Sequence, residues 1–247
     1  MMESAMGFNA QPFRTTSWSV VLRARDVDDE SQRREALETL CQAYWYPLYS
    51  FCRRRGADSD AAQDITQSFF ARLIEKESFS EVTPEKGRFR SYLLACMEHF
   101  LANHWRDNKA QRRGGGKKVL SIHAGEGEKR YLSEPVNNET PETQFNRAWA
   151  RSVLDQAQQR IRCEFEEAEK VQLFEAISPY LSRRPGKSSY ESLSDELGMT
   201  RSALAMTVRR MRERFGGHIR QLVSETLESP DLVDEELSFL LESLRQR

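Results

Sequence analysis

Residues 188–222 read SSYESLSDELGMTRSALAMTVRRMRERFGGHIRQL. Two helical patterns meet there at a Gly198-Met199-Thr200 turn. Ser188 and Glu191 form an S-x-x-E capping box that opens the first pattern. Tyr190, Leu193 and Leu197 follow on one helical face. Gly198 suits a left-handed helix end, and Thr200 offers its hydroxyl to the free N–H groups of the next helix. In the second pattern Leu204, Val208, Met211, Phe215 and Ile219 keep helical spacing. Arg201, Arg209, Arg210, Arg212, Arg214 and Arg220 are spread over the rest, and against Glu213 they leave a local charge of +5. A cap, a tight turn and a basic second helix predict a helix-turn-helix whose second helix enters the major groove of DNA. The competing reading of the same residues is a helical hairpin with a solvated basic face.

Outward from this stretch every pattern has the period of a helix, so the expected fold is all-α. Upstream, Pro185-Gly186 breaks the chain, Val171 to Leu181 gives one helix, and Glu142 to Ala168 gives a longer one through Phe145, Trp149, Val153, Leu154, Ala157 and Ile161. Residues 114–142 are rich in Gly, Ser, Asn, Glu and Pro and read as a flexible linker. Downstream, Ser229-Pro230 marks an N-cap and first helical position, followed by an apolar stripe of Val233, Leu237, Leu240, Leu241 and Leu244. Residues 225–242 hold seven acids and no base. Three roles stay open for that last helix: shielding the arginine-rich one, which the run of acids favours, packing with a solvated acidic side, or binding a partner.

The N-terminal half repeats the theme. Residues 1–13 read as disordered, and Thr15 to Val27 as a short helix. From Ser31, Ala36, Leu37, Leu40, Tyr44 and Leu48 form a helical stripe that Pro47 is expected to kink or divide. The aromatic run Tyr44-Trp45-Tyr46, with Tyr49 and Phe51, reads as core. Asp58 or Ser59 can cap a helix from Ala61 to Lys76 that buries Ala62, Ile65, Phe69 and Leu73. At about 100° per residue, Asp64 and Gln67 share its opposite face. A loop over residues 78–90 leads to a helix from Tyr92 to Arg106, which runs into a second basic stretch of +5 over residues 106–118.

Composition bounds what such a chain can do. With 247 residues, 30% charged and 38% hydrophobic, one large or two small soluble domains are expected. The net charge of −1 conceals the local asymmetries. Cys41, Cys52, Cys96 and Cys163 sit within apolar helical patterns, which points to reduced thiols in a cytoplasmic protein. No signal peptide is evident, and no apolar run approaches the roughly 20 residues that span a bilayer, so no membrane partner is expected. Cys96, His99 and His104 do not make a metal site, because the two histidines point about 140° apart on a helix. RRGGGKK lacks phosphate-loop spacing, and no nucleophile elbow or other catalytic spacing occurs. Neither an enzyme, a metal nor a cofactor is expected.

Three stretches occur in a telling order: YWYPLYSFCRRRGADSDAAQDITQSFFARL, FRSYLLACMEHFLANHWRDNKAQRR and SYESLSDELGMTRSALAMTVRRMRERF. The chain resembles a sigma-70 family RNA polymerase sigma factor of the small, extracytoplasmic-function type, over about Leu40 to Arg113 and Ala148 to Leu222. That resemblance implies two helical domains, regions two and four, with core RNA polymerase and promoter DNA as partners and an anti-sigma or other regulatory protein as a further one. It implies that Asp64, Gln67, Phe70 and Ile74 dock on core polymerase. It places His99, Asn103, Arg106, Lys109, Arg112 and Arg113 on the minus-ten element, with His104 or Trp105 as stacking surfaces. It places Thr200, Arg201, Ser202, Ala205, Met206, Arg209, Arg210 and Arg212 on the minus-thirty-five element. The family commonly shows Asn and Asp where His99 and Asn103 align, a departure that bears on minus-ten preference.

The expected organisation is therefore an N-terminal extension (1–30), region two (31–113), a linker (114–142), region four (143–228) and an acidic C-terminal helix (229–247). Two other functions fit parts of the pattern. A helix-turn-helix repressor or activator would need only the C-terminal half, and a helical scaffold would carry the basic stretches as solvated surface.

Overall fold

The structure, a computed structural model, describes residues 29–75, 88–111, 124–134, 139–182, 187–227 and 229–245. Its α-helices are α1 (Glu30–Arg54), α2 (Ser59–Glu75), α3 (Phe89–Gln111), α4 (Ala124–Ser133), α5 (Pro141–Glu167), α6 (Val171–Ile177), α7 (Lys187–Leu197), α8 (Arg201–Ser224) and α9 (Val233–Arg245). Short 3-10 turns at Ser178–Leu181 and Pro230–Leu232 complete the regular structure. No strand occurs among the described residues, so the fold is all-α as the periodicity predicts. The expected N-terminal helix at Thr15 to Val27 and residues 78–87 of the loop expected over 78–90 lie outside the described residues, and Phe89 and Arg90 of that loop already belong to α3.

Contacts divide the chain into two compact units, one running to Leu154 and resuming at Ile219, the other comprising Asp155–His218. The chain thus passes between units twice, within α5 and within α8. This differs from a boundary at residues 142/143. The reason lies in the first half of α5, whose Phe145, Trp149 and Val153 are buried, with Phe145 stacked 6.5 Å from Tyr44 of α1.

In the larger unit, Asp29 caps α1 by accepting from the Ser31 amide at 2.9 Å. Pro47 neither ends nor divides α1; it removes one N–H from the ladder, and the helix continues to Arg54. Gly56, at φ +94°, turns the chain where a side chain would be strained. Asp58 then caps α2 by accepting from Ala61 N at 2.8 Å. Leu48, Tyr49, Phe51, Ile65, Leu93 and Met97 lie fully inside. Each such side chain contributes about 1.5–3 kcal/mol by leaving water. Phe89 meets Tyr44 edge-on at 5.6 Å, and Phe69 meets Phe100 likewise at 5.6 Å, which fixes α3 against α1 and α2.

The stretch expected to be a linker contains α4, which packs on α1. Gly127 permits this approach, since a Cβ there would stand 2.6 Å from the Trp45 ring. Glu128 accepts from the Tyr49 hydroxyl and from two nitrogens of Arg53, at 3.0 and 2.9 Å. Glu134 accepts from Tyr46 at 2.9 Å, from Arg151 at 2.7 Å and from Gln144. Arg130 lies 4.1 Å over the Tyr46 ring and Arg53 lies 4.9 Å over Tyr131. Gly and Glu made this segment read as a tether, but its acids find partners far away in sequence.

The last helix packs on the larger unit. Ser229 caps its entry, accepting from Asp231 N at 3.3 Å, with Pro230 next. Its buried face holds Val233, Glu236, Leu240 and Ser243. Glu236, 1% exposed, accepts from Arg90 at 2.8 and 3.3 Å and pairs with Arg88 at 2.8 Å. Arg90 also donates to Asn146 at 2.9 Å and lies 4.1 Å over Phe239. The helix therefore lies against the start of α3, and it meets α8 at Arg220 through Asp234, 2.6 Å away.

The smaller unit packs α6, α7 and α8 on the second half of α5. Ile161, Phe165, Phe174, Ile177, Leu193, Leu204, Val208 and Met211 make its core. Gly198 takes φ +61°, and Thr200 caps α8 by accepting from Ala203 N at 3.2 Å, as the turn sequence predicts. The side chains of Ser188 and Tyr190 lie outside the described residues.

Candidate nucleic-acid and protein interfaces

Three exposed faces carry the residues singled out from the sequence. On α2, Asp64 and Gln67 are exposed together, beside Ser68 and Ala71. Phe70 is not on this face: it is 6% exposed and meets Phe69 edge-on at 5.8 Å. The buried stripe of α2 is wider than its four strongest positions suggested, taking in Gln63, Thr66 and Phe70 as well. Ile74 belongs to α2, and its side chain lies outside the described residues.

On α3, His99, Asn103 and Arg106 are exposed, one helical turn apart from one another. Trp105 is 40% exposed. His104 stacks on Phe100 at 6.1 Å, 21° from parallel, which leaves it half-buried. The Lys109 side chain, Arg112 and Arg113 lie outside the described residues.

Between α2 and α3 is a cleft of about 300 Å³, lined by Phe69, Arg72, Leu73, Tyr92, Cys96, His99, Phe100 and Asn103. Its walls are aromatic and its rim polar. Arg72 lies 5.9 Å over the Phe100 ring, so a cation borders the aromatic wall. Burial raises the Cys96 thiol above its ordinary range, which keeps it neutral in this cleft. Arg72 and Tyr92 were not evident as site residues. The spacing of Tyr92, Cys96, His99 and Asn103, at four, three and four residues, carried the signal.

On α8 the first two turns present Arg201, Ser202, Ala205 and Met206 to solvent, with Met206 48% exposed. Thr200 is committed as the cap. Arg201 pairs with Glu191 at 2.9 Å and Arg209 with Glu213 at 2.8 Å. Both pairs are exposed and so held weakly against solvent and salt, which lets either arginine exchange its partner for a phosphate. Arg210 is exposed. Arg212 is different: it is half-buried and donates to the Tyr180 carbonyl at 2.7 Å. It holds α8 to the 3-10 turn. Arg214 and His218 meet Glu164 on α5, the histidine at 2.7 Å.

Among the described residues, no group of three or more His, Cys, Asp or Glu is placed to hold a metal ion. No described helix is long and apolar enough to cross a membrane. The four cysteines are free thiols. Burial pushes Cys52 up to about 12, and burial with the nearby Glu38 charge does the same for Cys41.

Comparison with known proteins places one of these regions in a family. Residues 40–111 match the family model for sigma-70 region 2. The match runs from within α1 through the end of α3, and so contains both the Asp64/Gln67 face and the α3 surface. No curated protein and no solved structure matches the chain.

Proposed function

We propose, on the premise that this chain is a member of the sigma-70 family of RNA polymerase sigma factors, that it docks on core polymerase through α2 and directs initiation through α3 and α8. The sigma-70 region 2 match supports polymerase binding and promoter recognition as its role. The finer assignments rest on the faces described above.

Asp64 and Gln67 offer a carboxylate and an amide on a firmly packed helix. Such a pair suits a basic, polar partner surface, and core polymerase supplies that partner in this reading. Phe70, being buried, supports the helix and does not reach the partner.

The α3 surface is suited to separated strands. Opening a duplex step forfeits about 1.4 kcal/mol of stacking. A base stacked on an aromatic side chain recovers about 1–3 kcal/mol. One captured base therefore offsets one or two open steps, and further opening needs phosphate contacts or the polymerase itself. Trp105 supplies an exposed stacking face, and the aromatic cleft rimmed by His99, Asn103 and Arg72 suits an unpaired base of the minus-ten element. Arg106 is placed for the backbone.

In this reading α7 and α8 form a helix-turn-helix. Arg201, Ser202, Ala205 and Met206, in the first turns of α8, meet base edges of the minus-thirty-five element, while Arg209 and Arg210 meet phosphates. The order of the region two stretch, the basic helix and the helix-turn-helix stretch supports the extracytoplasmic-function type as its class, with the cytoplasm as its place of action.

The observation that carries the proposal is the α3 surface: an exposed tryptophan and an arginine on that helix, beside the aromatic cleft it forms with α2, all inside the matched region. Run-off transcription with purified core polymerase on a genomic promoter library tests it. Initiation that depends on this chain, and is lost with Trp105→Ala together with His99→Ala, is the expected outcome. DNA binding with no initiation on any promoter would favour a helix-turn-helix repressor or activator.

A further inference from the structure

The first turn of α9 begins with three acids in a row, and each is paired with an arginine of another element. Asp234 meets Arg220 of α8 at 2.6 Å, and Glu235 meets Arg88, just before α3, at 2.6 Å. Glu236 meets both Arg88 and Arg90 at 2.8 Å. All these residues belong to the larger unit. The docking face combines these charges with buried Val233 and Leu240 and half-buried Leu237, Phe239 and Leu244.

The three acids differ in how firmly they are held. Glu236 is buried with its arginines, whereas the Asp234 and Glu235 side chains are 81% and 68% exposed. Exposed pairs of this kind are weak and screened by salt. A guanidinium fork accepts a carboxylate or a phosphate with the same geometry. Arg88 and Arg220 lie at the ends of two helices whose other parts carry the candidate DNA surfaces, which singles out nucleic acid among polyanions.

We propose that Arg88 and Arg220, braced by the buried Arg90–Glu236 pair, form a binding site for the phosphodiester backbone of DNA that α9 occupies with its own carboxylates. Asp234 and Glu235 are internal stand-ins for phosphate, displaced when promoter DNA arrives. The inference rests on the DNA-binding reading and extends its footprint to the start of α3.

The test uses full-length protein and its D234N/E235Q variant, titrated against forked promoter-like duplex over a salt series, with far-UV circular dichroism as the check on folding. Freed arginines should steepen the slope of log affinity against log salt by about 1–2, at roughly 0.9 per phosphate contact, and raise affinity at low salt. Adding R88A/R220A should return the slope to the wild-type value. D231N/E242Q, which removes two exposed acids from the same segment, should leave the slope unchanged. An unchanged slope in folded D234N/E235Q, or a gain that survives R88A/R220A, overturns the proposal. If no form binds DNA at the lowest salt, the DNA-binding reading falls, and this inference with it.

Discussion

Glu236 of α9 grips Arg90 of α3 with both carboxylate oxygens, at 2.8 and 3.3 Å, across 146 residues of sequence. Both side chains are nearly sealed from water. The C-terminal helix is thereby part of the domain that carries the region 2 match.

A buried pair of this kind is costly to break from one side. Glu236→Ala leaves the buried Arg90 guanidinium without a carboxylate, while Arg88 keeps Glu235, and should lower stability by about 3–5 kcal/mol. Replacing both partners, as Arg90→Leu with Glu236→Leu, should cost less than either single change, because no charge is stranded. Urea denaturation of the three variants measures this.

Gly127 gives a prediction whose sign is unusual. Gly→Ala inside a helix ordinarily stabilises by roughly 0.5–1 kcal/mol. At Gly127 the added Cβ would meet the Trp45 ring at 2.6 Å, and overpacking costs about 1–3 kcal/mol. Gly127→Ala should therefore destabilise, and the fluorescence of a chain retaining Trp45 as its sole tryptophan should shift as α4 lifts.

Alkali should weaken the fold. Burial pushes Cys41 and Cys52 up to about 12, and burial with the Glu128 hydrogen bond pushes Tyr49 up to about 12. These groups stay neutral in the fold while their unfolded counterparts ionise from about pH 8.5 to 10. The folded state then binds more protons, so the stability they contribute is full below that range and is lost as pH rises towards about 12. Melting temperatures across pH 8–11 should decline, and Cys52 should react with thiol reagents at pH 8 only after denaturation.

Neighbouring arginines on α8 should separate into two kinds. Arg212→Ala removes a charged hydrogen bond to the Tyr180 carbonyl and should cost about 1.5–3 kcal/mol of stability. Arg210→Ala should leave stability within about 0.5 kcal/mol and lower the salt dependence of DNA binding by about one phosphate contact. Thermal melts and salt-series titrations distinguish the two.

What could be read from the chain alone tracks how local its causes are. The α7–α8 turn was legible because Gly198, Thr200 and the spacing of Leu204, Val208 and Met211 act within a few residues. The Asp64/Gln67 face was legible for the same reason. Helix α4 was not, since Glu128 and Glu134 are held by Arg53, Tyr46 and Arg151, and a Gly-Glu segment has no local signal of such partners. Phe70 was misplaced outside the buried stripe because helical phase alone does not show how many neighbours surround a face. The match over residues 40–111 covers α2 and α3, where the residue-level reading of the site was fullest.

Binding to purified core polymerase tests the central claim most directly. Fluorescently labelled wild-type chain should bind core saturably, and Asp64→Arg with Gln67→Ala should weaken that binding at least about tenfold, equivalent to roughly 1.4 kcal/mol, with melting unchanged. Equal affinity of the two forms for core, or no binding of the wild type at all, would contradict the account.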